Sequence, residues 1–193
     1  MKIFQTLYLR VFGWAQHQHA PRYLAALSFA ESSVFPIPPD VLLAPMVLAR
    51  PNKAWRYALL TTVASVLGGC LGYVLGVFLF DTVGEAVIEF YHAQARFIMT
   101  QQWFGRYGTW VILIAGFTPL PYKLFTISAG LVGMPLLPFI AASVVGRGAR
   151  FFLVAGLIYW GGASLESFIR RYADRIGWGM VVLLVVIYFT VIA

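Results

Sequence analysis

A run of 24 residues without a charged side chain, from Tyr57 to Phe80, limits most strongly what this chain can fold into. A helix needs about 20 apolar residues to cross a hydrocarbon core of about 30 Å, so this run is long enough to span a membrane. The chain is 61% hydrophobic and 11% charged, and a soluble domain of 193 residues has too little interior for so many apolar side chains. The sequence therefore predicts an all-α polytopic membrane protein.

Two other hydrophobic segments, residues 22–49 and 108–133, are interrupted by proline. An interior proline removes one hydrogen bond of a helix and clashes with the preceding turn. Each segment is therefore predicted to form a re-entrant helical hairpin, whose backbone at the break must be covered by protein or line a wet cavity. The prolines assigned to the hairpin breaks are Pro36, Pro38, Pro39, Pro119 and Pro121.

The two broken segments belong to an internal echo. Phe-Pro-Ile-Pro-Pro-Asp at 35–40 is followed by Ala-Ser-Val-Leu-Gly at 64–68, and Phe-Thr-Pro-Leu-Pro-Tyr-Lys at 117–123 is followed by Ala-Ser-Val-Val-Gly at 142–146. Paired interrupted segments in two halves of a hydrophobic chain are typical of transporters that are built from inverted repeats and bind substrate at the breaks. The echo thus favours a transport function.

The whole chain, residues 1–193, is predicted to be a single membrane domain. Its segments are an interfacial helix at 1–20, a re-entrant hairpin at 22–49, a transmembrane helix at 57–80, an amphipathic connector at 81–107, a second re-entrant hairpin at 108–133, and transmembrane helices at 135–160 and 178–193. If both hairpins are re-entrant, they enter from opposite faces, and nine basic residues share one side of the membrane against two on the other. The positive-inside rule makes the first side, which carries the N-terminus, cytoplasmic.

Two acidic residues, Glu31 and Asp40, lie in otherwise apolar sequence around the first break. A charge at the bilayer centre costs about 2.5–3.5 kcal/mol on insertion scales, so these side chains must face a cavity, pair with a cation or be protonated. An unpaired buried carboxyl group favours its neutral form, which makes both residues candidates for proton coupling. The alternative is that each acid pairs with a cation of the other half and only holds the two repeats together.

Three cations of the second half are candidates for binding a lipid phosphate: Lys123, Arg147 and Arg150. Lys123 follows the second break, and the two arginines are three residues apart, near one face of a helix. The planar guanidinium fork of arginine binds phosphate oxygens bidentately. The alternative for Arg147 is that its side chain snorkels to the membrane interface.

Metal, cofactor and enzyme chemistry are not indicated by the sequence. No cluster of Cys, His and carboxylate residues has metal-ligand spacing, and no nucleotide-binding loop or nucleophile motif occurs. We therefore expect no cofactor and no catalytic residues. A nucleic-acid partner is not expected either, because most basic residues lie between hydrophobic segments, where they set topology and attract anionic lipid.

A set of motifs in both halves carries a family resemblance. The residues are Glu31, Phe35-Pro36-Ile37-Pro38-Pro39-Asp40, Pro119, Lys123, Ala129-Gly130, Met134, Phe139 and Gly146. Over about residues 20–165 the chain resembles the DedA family, also described by the VTT or SNARE-associated Golgi protein domain, and most closely its YqaA-like branch. The family's Arg-x-x-Pro-x-x-Arg element is replaced here by Gly116, Pro119 and Tyr122, with Lys123 alongside.

The resemblance implies two opposed re-entrant hairpins and a role in flipping or scrambling lipids, coupled to the proton gradient in some members. Bacterial members of the family are associated with recycling undecaprenyl phosphate or with moving phospholipid headgroups across the inner membrane. Glu31 and Asp40 match the acidic positions of the family. By resemblance, then, this chain is expected in a bacterial inner membrane.

The leading hypothesis is a transporter of a phosphate-bearing lipid, either a polyprenyl phosphate or a phospholipid. A small-ion or solute transporter that uses the same cavity is one alternative, and a non-transporting membrane scaffold is another. The expected partners are membrane lipids and protons. The oligomeric state stays open, with a homodimer among the alternatives.

Overall fold

A computed structural model describes residues 13–15, 17–33, 37–80, 82, 94–118 and 121–162. The predicted helix at 178–193, most of the predicted interfacial helix at 1–20, and two of the break prolines, Pro36 and Pro119, lie outside the described residues. The described part of the chain is helical and contains no β-strand. The all-α prediction is therefore confirmed for these residues.

Six helices of ten or more residues occur in the described ranges. They are α1 (Ala20–Ser33), α2 (Asp40–Ala49), α3 (Ala54–Leu79), α4 (Gln94–Phe117), α5 (Tyr122–Leu131) and α6 (Leu136–Gly162). A 3-10 turn, Pro51–Lys53, joins α2 directly to α3. The two predicted spans at 57–80 and 135–160 correspond to α3 and α6.

The helices α3 and α6 are each long and apolar enough to cross a membrane. Only 44% and 39% of their most apolar windows are buried against the rest of the chain. Much of the remaining surface of α3 is also apolar, with Leu59, Leu67 and Phe78 facing outward. A helix that is hydrophobic on all sides is expected where lipid, not water, is the surrounding solvent.

In each broken segment, one helix precedes the prolines and a second helix follows them. The first break separates Ser33 from Asp40, and Pro39 lies immediately before the first residue of α2. The second break separates Phe117 from Tyr122, and Pro121 lies immediately before α5. Proline is favourable at a helix start because its missing N–H would have no partner within the helix. The prolines therefore set where α2 and α5 begin.

The first helix of the second broken segment, α4, is longer than predicted. The sequence placed its start at residue 108, after an amphipathic connector, whereas α4 begins at Gln94, 14 residues earlier (108 minus 94). The intervening residues include Arg96 and Arg106, two of the charges among aromatic residues that favoured an interfacial connector. Arginine is also a good helix former, so the helix continues through both positions.

Glycines allow the helices to approach one another closely. A Cβ atom at Gly68 of α3 would overlap the carbonyl oxygen of Phe29 in α1, and one at Gly146 of α6 would lie 2.5 Å from the carbonyl oxygen of Leu113 in α4. These two glycines end the two copies of the Ala-Ser-Val-x-Gly echo. Each long helix therefore packs, through the same position of the echo, on the first arm of the broken segment that precedes it.

The second helix of each broken segment packs on the long helix of the other half of the chain. On α5, a Cβ atom at Gly130 would overlap the carbonyl oxygen of Tyr73 in α3. On α2, the buried residues Leu43, Met46 and Val47 share one apolar cluster with Phe151 of α6. The two halves are thus interlocked.

Candidate functional site: two arginine–carboxylate pairs

The first ion pair joins the end of α1 to the middle of α6. The guanidinium Nη2 of Arg147 lies 2.5 Å from the carboxylate Oε2 of Glu31. The side chain of Arg147 is 2% exposed and that of Glu31 is 14% exposed. Removing one partner of such a buried pair leaves an uncompensated charge, which destabilises a protein by about 3–5 kcal/mol. The pair therefore fixes the position of α1 against α6.

Arg147 makes further contacts with α1, α3, α5 and its own helix. Its Nε donates to Ser65 Oγ on α3 at 2.5 Å, and its Nη2 also donates to Ser32 Oγ at 3.2 Å. The guanidinium carbon lies 4.8 Å from the ring centroid of Tyr122 on α5 and 4.7 Å from that of Phe151. Cations over aromatic rings are attracted by the ring quadrupole. Arg147 is thus held by both polar and aromatic groups.

Small hydroxyl side chains line the contact between α1 and α3. The Oγ atoms of Ser32 and Ser65 are 2.7 Å apart, and Ser32 Oγ also donates to Glu31 Oε2 at 3.0 Å. One turn earlier, Ser28 Oγ donates to the carbonyl oxygen of Thr61 at 2.8 Å. These hydroxyl groups satisfy hydrogen-bonding groups that would otherwise be buried without partners, at a large cost in free energy.

The serine of the second echo has a corresponding role. Tyr122 Oη donates to Ser143 Oγ at 2.5 Å, and Ser143 Oγ donates to the carbonyl oxygen of Phe139 at 2.6 Å. Ser143 and Ser65 occupy the same position of the echo, and both are fully buried. Both serines therefore help to position Arg147. Ser65 accepts a hydrogen bond from the arginine itself, and Ser143 accepts one from Tyr122, whose ring contacts the guanidinium.

The second ion pair lies where the two breaks meet. The Nη2 of Arg150 is 2.5 Å from Oδ2 of Asp40, the first residue of α2. Its Nη1 donates to the carbonyl oxygen of Thr118, just after the end of α4, at 2.6 Å. Asp40 also lies at a helix N-terminus, where a negative charge is favoured by the helix dipole. One arginine thus connects α6 to both interrupted segments.

This second pair is more accessible and less completely hydrogen-bonded than the first. The side chain of Arg150 is 16% exposed and that of Asp40 is 26% exposed. Oδ1 of Asp40 and Nε of Arg150 are buried without a hydrogen-bond partner in the described part of the chain. Buried polar atoms without a partner are rare in folded proteins and often mark a functional site. Here they would be explained if a ligand or a proton binds at this pair.

Four of the five predicted site residues are brought together as two pairs, Glu31 with Arg147 and Asp40 with Arg150. Lys123 lies beside Tyr122 in the first turn of α5 and is partly exposed. Sequence reasoning did not single out Ser32, Ser65 or Tyr122 as members of this network. The signal for Ser65 was present, since it stands inside the repeated echo. Within the described residues, no group of three or more His, Cys, Asp or Glu side chains is arranged to hold a metal ion.

The two long apolar helices and the charged pairs enclosed beside them define a helical membrane protein with ion pairs in its interior. Comparison with known families agrees, because a VTT domain matches residues 37–160, which is more than half of the chain. The chain belongs to the VTT domain family, the DedA or SNARE-associated family that its break motifs resemble.

Two relatives match over nearly their full lengths. A protein of Haemophilus influenzae is 42% identical over 189 residues, which cover 98% of each chain. A protein of Histophilus somni is 40% identical over 188 residues, which cover 97% of this chain and 98% of the relative. Both relatives are described as uncharacterized proteins. No solved structure matches the chain.

Proposed function

We propose that the protein moves a phosphate-bearing lipid, a phospholipid or a polyprenyl phosphate, across the bacterial inner membrane together with a proton. The observation that carries the proposal is the Arg150–Asp40 pair, which is partly exposed and lies between both helix breaks. Family membership and an intramembrane position for ionisable residues both support a transport function. No chemical change of the lipid is involved.

The coupling works through competition between the carboxylate of Asp40 and the lipid phosphate for Arg150. When Asp40 takes up a proton, its carboxyl group loses the negative charge that neutralises Arg150. An anionic phosphate then replaces the carboxylate, and the planar guanidinium fork can bind two phosphate oxygens at once. Lys123, in the first turn of α5, is a second cation near the same break. Release of the phosphate and of the proton restores the original ion pair.

In this proposal the Arg147–Glu31 pair mainly holds α1 against α6, next to the transport site at Arg150. Arg147 is almost fully enclosed and already interacts with a carboxylate, two hydroxyl groups and two aromatic rings. A lipid phosphate could reach it only after these contacts separate. The same enclosure is the observation that favours the second candidate function, a membrane scaffold in which both pairs are purely structural.

The proposal includes two opposed re-entrant hairpins related as an inverted repeat. It is supported by the equal roles of Gly68 and Gly146 in helix packing and by the buried positions of Ser65 and Ser143. The excess of nine basic residues against two on opposite sides of this arrangement supports a cytoplasmic N-terminus. Substrate would then meet Arg150 near the membrane midplane.

Transport should depend on the charge of Asp40. We expect Asp40→Asn to abolish pH-driven flipping of a headgroup-labelled phospholipid in proteoliposomes, because the amide cannot exchange a proton. Arg150→Lys should retain only part of the activity, since a lysine cannot reproduce the bidentate fork. Arg106→Gln, which removes an exposed cation from α4, is the control and should flip lipid normally.

The scaffold alternative predicts a different pattern in the same assay. Wild-type protein would then flip no lipid above empty liposomes, and Asp40→Asn would change only thermal stability. A small-ion or solute transporter would dissipate an ion or solute gradient without moving labelled lipid. Normal flipping by Asp40→Asn would contradict the assigned proton coupling.

Two opposed hairpins would put Arg22 and Lys53 on the same side of the membrane. Cys70 is the single cysteine of the chain, so a Cys70→Ala background allows one reporter cysteine at a time. Both Arg22→Cys and Lys53→Cys replace exposed side chains. We expect both to be labelled by an impermeant maleimide only after the cytoplasmic face is opened. Labelling from opposite sides would show that the segment 22–49 spans the membrane fully.

A further inference from the structure

A second candidate binding site lies at the junction of α2 and α3. It is a cavity of about 520 Å3, within the range of about 300–1,000 Å3 that is usual for ligand sites. The lining residues are Gln18, Pro21, Arg50, Lys53, Arg56, Tyr57, Leu59, Leu60 and Val63. None of them belongs to the two ion pairs described above.

One end of this cavity is strongly basic. Arg50 follows α2, Lys53 lies in the 3-10 turn, and Arg56 lies in the first turn of α3. Lys53 and Arg56 are exposed, and Arg50 is half-buried. No acidic side chain is present among the described residues that line the cavity.

The other wall of the cavity is apolar and continues beyond it. Leu59 and Val63 line the cavity, and Leu67 and Leu71 follow at intervals of four residues along α3. All four side chains are exposed. From Leu59 to Leu71 this stripe is about 18 Å long at a rise of 1.5 Å per residue. A basic mouth above an apolar stripe is complementary to an amphiphile with an anionic head.

We propose that this cavity binds an anionic phospholipid, with its phosphate at Lys53, Arg56 and Arg50 and an acyl chain along the stripe from Leu59 to Leu71. The cations provide charge-assisted hydrogen bonds to phosphate oxygens. The apolar stripe makes a lipid, and not a soluble anion, the matching ligand. This site is separate from the proposed transport route, and its occupancy does not depend on whether the protein transports lipid.

Native mass spectrometry of the intact protein tests the site with phosphatidylglycerol and phosphatidylcholine of equal chain length. A basic residue near an anionic lipid changes its affinity by about fivefold. We expect Lys53→Gln/Arg56→Gln to weaken phosphatidylglycerol binding by about 25-fold and to leave phosphatidylcholine binding nearly unchanged. Arg56→Gln alone should weaken it about fivefold, whereas the matched control Arg106→Gln should not. Both replaced side chains are exposed, so thermal stability should be retained.

A second variant tests the apolar wall without changing charge. Leu59→Asn should weaken the binding of both lipids, because it places a polar group where an acyl chain lies. Millimolar inorganic phosphate should not displace phosphatidylglycerol from the wild-type protein. Displacement by inorganic phosphate would show a site for a soluble anion instead. Unchanged phosphatidylglycerol affinity in Lys53→Gln/Arg56→Gln would overturn the proposal.

Discussion

Replacing Arg147 by methionine is expected to lower the free energy of unfolding by about 3–5 kcal/mol, because Glu31 is left as an uncompensated charge in the protein interior. Methionine keeps much of the volume between Tyr122 and Phe151, so most of the loss comes from the charge and from the hydrogen bonds to Ser65 and Ser32. Unfolding of detergent-solubilised protein by heat or denaturant measures the effect.

A double substitution separates the ion pair from simple packing damage. Glu31→Gln/Arg147→Met contains no unpaired charge, so it should be more stable than the sum of the two single effects predicts. A coupling of about 0.5–3 kcal/mol is usual for residues in direct contact. Strictly additive effects, or an Arg147→Met protein as stable as wild type, would show that the pair does not hold α1 against α6.

Gly68→Ala should also destabilise the protein strongly, by about 1–3 kcal/mol or more. The added Cβ atom would overlap the backbone of Phe29, which cannot move without shifting α1 away from α3. The shift would also disturb the hydrogen bond between Ser32 and Ser65. Gly130→Ala should act similarly where α5 crosses the backbone of Tyr73 in α3. Thermal unfolding in detergent gives the size of both effects.

Gly105→Ala is the matched control for these glycine variants. It makes the same chemical change within a helix, α4, but at a position where the new Cβ atom meets nothing within 4 Å. Because alanine favours a helix over glycine by about 1 kcal/mol, this variant should be as stable as wild type or slightly more stable. If Gly68→Ala and Gly105→Ala unfold at the same temperature, the close approach of α1 and α3 is not needed for stability.

The helices were predictable where local chemistry decides them. Pro39 and Pro121 fix the starts of α2 and α5, since proline restricts the backbone wherever it occurs. The charge-free run at 57–80 similarly fixes α3 by length and composition. The start of α4 was not predictable in this way, because Gln and Arg are suited to both a helix interior and an interfacial surface.

The charged members of the two pairs could be predicted from the sequence, but which acid pairs with which arginine could not. Isolated charges in apolar sequence attract attention singly, and Glu31, Asp40, Arg147 and Arg150 were all found in that way. Which acid meets which arginine depends on how two halves of the chain interlock, and no local pattern records that. Tyr122 stands inside the repeated segment at 117–123. An aromatic residue is common in a hydrophobic chain, however, and only its contact with the guanidinium of Arg147 gives it a role in the site.

The ion pairs have a consequence for how the chain is synthesised and inserted, because each acid is made long before its arginine. Glu31 precedes its arginine by 116 residues, and Asp40 precedes its arginine by 110. At about 5–20 residues per second, a ribosome needs about 6–23 s to supply each missing cation. During that interval the nascent chain has two carboxyl groups in apolar surroundings and no arginine of α6 to neutralise them. Until α6 is synthesised and packs against α1 and α2, the two carboxylates must therefore be neutralised by protonation or shielded by the insertion machinery.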